Sequence, residues 1–187
     1  MARKLPNIII QEDFEKLINA NILQEKKSKI ENYKKRLVEY RISMLLGFES
    51  GLRISEIVGY SINGVIIVPT LKKENIEEKW IRIISGKGKK DRITRRPKRL
   101  TNKAVLMFPL SIRRRSLQYY FTKLGEKILG KHITFHTLRH GFCSHLANEG
   151  QPLHEIQMMA GHSRLDTTGI YLHARPEGAI KRADEIF

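Results

Sequence analysis

The sequence predicts a mixed α+β domain, mainly helical, with a small three-stranded antiparallel sheet. Apolar residues recur at three- and four-residue steps in several separate stretches, and helix start and stop signals bracket those stretches. Three strand-like runs crowd together between residues 64 and 99. At 187 residues, 41% hydrophobic and 29% charged, the chain fits one globular domain with its own core.

Residues 11–23 read as the first helix, with Phe14, Leu17, Ile18 and Ile22 along one side. Ser28 followed by Glu31 is a capping-box pattern that opens a second helix. Its apolar positions run through Val38, Ile42, Leu45 and Leu46 until Gly51 stops it, which puts Arg53 just past a helix end. A short helix begins at Ser55. GVIIVPTL, EKWIRIISG and DRITRRPKR then read as three strands, with GKGKKD as the tight turn of the sheet. Helix returns from Ser111 to Leu129 and carries Arg113, Arg114 and Arg115 near its start, where basic groups oppose the helix dipole and an anionic partner would relieve the conflict. Thr134 caps a helix with Leu138, Phe142 and Leu146 on one stripe and His136 and Arg139 on another face, closed by Gly150. Pro152 suits the first turn of the next helix, where Leu153, Ile156 and Met159 face inward and Gly161 ends it, leaving His162 in a turn. Asp166, Thr167 or Thr168 caps a last segment with Tyr171 in its first turns, and Pro176 limits its length.

Lys and Arg number 35 against 19 Asp and Glu, a net charge of +16 and a pI near 10.1, which favours a polyanionic partner, nucleic acid before a membrane surface. No apolar run approaches the roughly eighteen residues of a membrane span, and the N-terminus lacks the apolar core of a signal peptide, so an intracellular location is expected. The lone Cys143 forms no internal disulfide and reads as a small buried core residue. The four aspartates, Asp13, Asp91, Asp166 and Asp184, are scattered, whereas two-metal nucleases need converging carboxylates. GKGKKD has the wrong spacing for a nucleotide-binding loop. Neither a metal, a cofactor nor a small-molecule substrate is expected.

What remains is a constellation: Arg53 in GLRISE, His136 and Arg139 in HTLRH, His162 in AGH and Tyr171 in TTGIYLH. These residue types can break a phosphodiester without a metal. A tyrosine supplies an oxygen nucleophile, two arginines hold non-bridging phosphate oxygens as planar forks, and histidines move or donate protons. A phenol of pKa near ~10 is mostly protonated at neutral pH and needs a base or strong local positive charge; His136 is the candidate base. His136 and His140 also lie one turn apart, as a metal-binding pair would, but no carboxylate or third ligand accompanies them.

GLRISE, SGKGKKDR, HTLRH, AGH and TTGIYLH, in that order, resemble the signature of the tyrosine recombinases, the phage-integrase family, over roughly residues 5–175. The resemblance implies that family's catalytic-domain fold and an enzyme that cleaves and rejoins DNA. Tyr171 would attack a phosphate to give a 3′-phosphotyrosyl bond and a free 5′-hydroxyl. Arg53 and Arg139 would stabilise the pentavalent phosphorus, Lys87 would protonate the departing 5′-oxygen and His162 would donate a hydrogen bond to the phosphate. Glu56 would orient Arg53. Two alternatives stay open at the hairpin, a purely electrostatic role for Lys87 on the DNA backbone and Lys89 as the acid. The chain reads as a single catalytic domain over residues 1–187, with residues 176–187 as a tail and the family's N-terminal core-binding domain absent. Self-association on DNA and origin in a virus, plasmid or other mobile element are further expectations. The competing functions are DNA relaxation of the type IB topoisomerase kind and a non-catalytic DNA-binding regulator built on the same fold.

Overall fold

The computed structural model describes residues 8–84 and 91–161; Lys87, His162, Tyr171 and the tail, along with the GKGKK part of the turn, lie outside the described residues. Two long helices come first, α1 (Gln11–Lys27) and α2 (Glu31–Glu49). The first runs beyond its apolar stripe because the polar LQEKK segment consists of good helix formers, and Lys26 and Lys27 complement the dipole in the last turn. Between the helices the Ser28 hydroxyl accepts a bond from the Ile30 backbone N–H at 3.2 Å. Ser28 therefore makes a local turn rather than the expected capping box, and Ile30 stands at the N-cap without a side-chain bond. Residues 42–48 of α2 are all buried, the mark of a helix enclosed on every side.

After α3 (Ile54–Val58), strands β1 (Tyr60–Ile62) and β2 (Val65–Val68) form one antiparallel hairpin, and β3 (Trp80–Ile83) and β4 (Arg92–Arg95) form another. The expected three-stranded sheet is thus two two-stranded sheets within the expected helical architecture. The reason lies in Asn63 and Gly64, whose φ angles of 47° and 78° make a two-residue turn that folds VIIV back onto YSI instead of onto WIRI. A 3-10 turn at Lys73–Asn75 intervenes, and an isolated Ile76–Ile81 bridge is its link to the second hairpin. In that hairpin Ile83 pairs with Arg92.

The chain continues through α4 (Asn102–Val105), which Thr101 caps by accepting from the Ala104 N–H, then α5 (Arg114–Leu129), α6 (Phe135–Asn148) and α7 (Leu153–Ala160). Helix α2 packs chiefly between α1 and α6, while α7 lies against α6 and β4. Phe14, Leu17, Leu37, Met44, Leu46, Leu52, Phe121 and Leu138 belong to the main core, and Phe142, Cys143, Ile156 and Ala160 form a smaller one beneath α6 and α7. Polar ties fix the helices relative to one another: buried Asn21 of α1 donates to the Leu37 carbonyl and to the Tyr120 hydroxyl, and buried Glu39 accepts from both the backbone and hydroxyl of Ser111. Among the described residues no helix is long and apolar enough to cross a membrane.

Candidate active site

Helix α2 ends where Gly51 turns left-handed at φ 68°, and a Cβ there would sit 2.5 Å from the ring of Phe142. Only glycine lets the chain pass beneath that ring. The Gly51 carbonyl then accepts a bond from Arg139 Nη1 at 2.7 Å, and two residues on, Arg53 becomes the N-cap of α3. Its backbone N–H donates to Glu56 Oε2 at 2.7 Å and its side chain to Oε1 at 2.9 Å, so a carboxylate one turn ahead holds both ends of the residue. Arg53 Nη2 reaches the Gly161 carbonyl at 3.1 Å, which joins α3 to the end of α7.

Glu56 is 7% exposed and shared. Arg92 of β4 meets it as a two-pronged fork, Nη1 to Oε1 at 2.7 Å and Nη2 to Oε2 at 2.8 Å, while its Nε donates to the Met159 carbonyl at 2.8 Å. Burial alone would raise the Glu56 carboxyl, but the bonds and charge of Arg92, followed by those of Arg53, bring it down to about 2. It stays ionised throughout the neutral range. Arg92 does not stand out in the sequence because β4 presents Arg92 and Thr94 inward and leaves Ile93 exposed, the reverse of ordinary strand patterning.

Arg139 is 1% exposed, yet its Nε and Nη2 find no acceptor among the described residues. Burial, then the charges of Arg53 and Arg92, push its guanidinium down to about 10, well below the ordinary arginine value. It remains a cation at neutral pH. His136, in the first turn of α6, is held below the ordinary imidazole value by desolvation and then by Arg139 and Arg53, and so is neutral at pH 7. Its ring meets that of His140 edge-on, centroids 4.6 Å apart. Desolvation first, then His136 and Arg139, carry His140 down to about 4. Among the described residues no cluster of three His, Cys, Asp or Glu is arranged for a metal ion. Cys143 is fully buried and its thiol is pushed up to about 11, chiefly by burial.

A cleft of about 200 Å³ opens between α3 and the start of α6, lined by Arg53, Ser55, Gln118, Thr134 and His136 with Leu52, Ile54 and Phe135. The fold thus brings Arg53, His136 and Arg139, remote in sequence, within electrostatic reach of one another and lets the first two share a cleft. The two guanidinium cations beside a neutral imidazole, with Nε and Nη2 of Arg139 unpaired among the described residues, suit a compact anion that accepts hydrogen bonds. Arg113, Arg114 and Arg115 at the head of α5 are exposed, and Arg114 lies over the Tyr60 ring at 4.6 Å. Tyr120 is engaged elsewhere: its hydroxyl donates to Gln24, its ring stacks on Tyr40 at 4.3 Å, and burial pushes its phenol up to about 12. Lys87, His162 and Tyr171 lie outside the described residues.

Comparison with known proteins adds an independent line. The family model described as phage integrase family matches residues 11–177. Tyrosine recombinase XerA of Thermococcus kodakarensis is 30% identical over 203 residues, which cover 98% of this chain and 63% of that protein. Among solved structures, the XerH site-specific recombinase bound to palindromic difH substrate, a post-cleavage complex, is similar at TM-score 0.64 and 22% identity, over 96% of this chain and 53% of that one. The catalytic domain of bacteriophage HP1 integrase is similar at TM-score 0.62 and 19% identity, over 93% of each. The chain spans 58% and 63% of the length of two curated relatives that it matches.

Proposed function

Because the chain belongs to the phage integrase family, we propose that it acts as a site-specific DNA recombinase, cleaving and rejoining double-stranded DNA through a covalent 3′-phosphotyrosyl intermediate. The observation that carries this reading is Arg139, a fully buried cation whose Nε and Nη2 have no acceptor among the described residues, set within the field of Arg53 and beside a neutral His136. In the reaction the Tyr171 oxygen forms a bond to phosphorus while the bond to the 5′-oxygen breaks. The phenolic proton passes to His136, and Lys87 gives a proton to the departing oxygen. Arg53 and Arg139 take up the charge that develops on the non-bridging oxygens, which planar guanidinium forks do better than ammonium groups. His162 adds a hydrogen bond to the same phosphate. Attack by the 5′-hydroxyl of another strand reverses the chemistry and exchanges partners. The roles of Lys87, His162 and Tyr171 rest on their places in the family motifs. Self-association on DNA follows from the need to hold two exchanging duplexes together, and the DNA substrate places the work inside a cell.

The test begins by selecting binding sites from a random duplex pool, then nicking the selected site and incubating it with protein in EDTA. Denaturation with detergent should reveal slow-migrating, protein-linked DNA that Tyr171→Phe abolishes. Failure of the wild-type chain to form the adduct on its selected site, or a strict magnesium requirement, would overturn the proposal. Two-site exchange assayed beside supercoil relaxation separates a recombinase from a topoisomerase.

A further inference from the structure

Arg92 touches no part of the cleft described above, yet it meets three segments on which the proposed chemistry depends. Its guanidinium grips both oxygens of Glu56, its Nε closes the Met159 carbonyl near the end of α7, and it is carried on β4, one arm of the hairpin around residues 84–91. Gly161 is shaped around it, since a Cβ there would fall 2.7 Å from Arg92 Cδ. The same Gly161 gives its carbonyl to Arg53 Nη2. Arg53 and Arg92 therefore grip the end of α7 and the Glu56 carboxylate together.

The charges make this more than a brace. Glu56 accepts four hydrogen bonds, two from the Arg92 fork and two from Arg53, one of the latter from its backbone. With Arg53 and Arg92 each +1 and Glu56 −1, the trio carries one net positive charge. Without Arg92 the carboxylate would belong to Arg53 alone and the pair would be neutral. A guanidinium already neutralised by its orienting partner has little left to offer a phosphate. We propose that Arg92 is a positioning residue that occupies Glu56 so that Arg53 is both held in place and left electrophilic toward the scissile phosphate. This rests on the recombinase reading above.

The experiment compares single-turnover cleavage of the selected, nicked site with cleavage of the same duplex carrying a methylphosphonate at the scissile position. That substitution removes the negative charge which Arg53 would neutralise. Arg92→Gln should cleave the phosphate about 10- to 100-fold more slowly, the range found when groups that orient functional ligands are lost, with DNA affinity unchanged. On methylphosphonate its deficit relative to wild type should largely disappear. Arg92→Lys, which keeps the charge but not the fork, should fall between wild type and Arg92→Gln on phosphate and match wild type on methylphosphonate, and it stands in if the glutamine variant does not fold. Equal slowing of either folded variant on both substrates would mark Arg92 as merely structural, and wild-type rates on phosphate would remove its role; both overturn the proposal. Absence of adduct from the wild-type protein would instead strike the recombinase reading.

Discussion

Arg139 carries two guanidinium nitrogens, Nε and Nη2, that meet no acceptor among the described residues, although the residue is 1% exposed. Each unsatisfied buried donor costs about 1–3 kcal/mol, and the charge adds its own desolvation penalty. Among the described residues this is a destabilising arrangement, which the proposed phosphate would relieve. Arg139→Met should raise the unfolding free energy by about 1 kcal/mol in urea titrations while lowering the cleavage rate by about 10²-fold or more. A variant that lost stability and kept its rate would contradict both halves. Glu56 yields a pH prediction. Its carboxyl lies at about 2 in the folded protein against an ordinary 4.5, so the stability it contributes is complete above 4.5 and is lost as pH falls toward 2. The amount is on the order of 3 kcal/mol. Urea unfolding across that window should show the loss in wild type and its absence in Glu56→Gln. Arg53, His136 and Arg139 were named from their motifs, while Lys87, His162 and Tyr171 lie outside the described residues. Arg92 was not, because a charged residue facing inward on a short strand leaves no apolar rhythm behind.

At the scale of elements, helix α6 carries His136 and Arg139 and packs closely on another face. Gly141 faces α2 and the N-terminal segment, where an added Cβ would meet the Ile9 carbonyl and the Phe48 ring at 2.7 Å each. Glycine to alanine inside a helix ordinarily stabilises by about 1 kcal/mol. Here the neighbour that would have to move includes main chain, and overpacking costs about 1–3 kcal/mol, so Gly141→Ala should destabilise. Equilibrium unfolding that showed a gain would mean α6 can shift away from α2. The longer described helices were readable in the sequence because periodicity, Gly51, Gly150 and Gly161 all pointed the same way, whereas the four-residue α4 was not read. The strands were less so: VIIV satisfies a strand pattern whichever neighbour it pairs with, and the Asn63–Gly64 turn decides the partner. Ser28 and Glu31 have the letters of a capping box, but the backbone turns before the hydroxyl can reach the helix.

For the whole molecule, the charge of +16 sets the electrolyte dependence of any DNA binding. A protein that neutralises several phosphates displaces counterions, and affinity should fall by about 10³-fold or more between about 50 and 200 mM salt. Fluorescence anisotropy with a labelled duplex checks this, and a nearly flat salt response would argue against a phosphate-dominated interface. The sequence by itself determined the mainly helical architecture and the basic character and put forward a candidate set of reactive groups, because periodicity, charge count and motif spacing are local or additive properties of the chain. Only the tertiary structure decided that Arg139 is buried with unpaired donors, that Arg53 and His136 share a cleft, and that Arg92 takes up Glu56. Burial and charge sharing depend on which surfaces meet, and residues 36, 67 and 108 positions apart meet only when the fold closes.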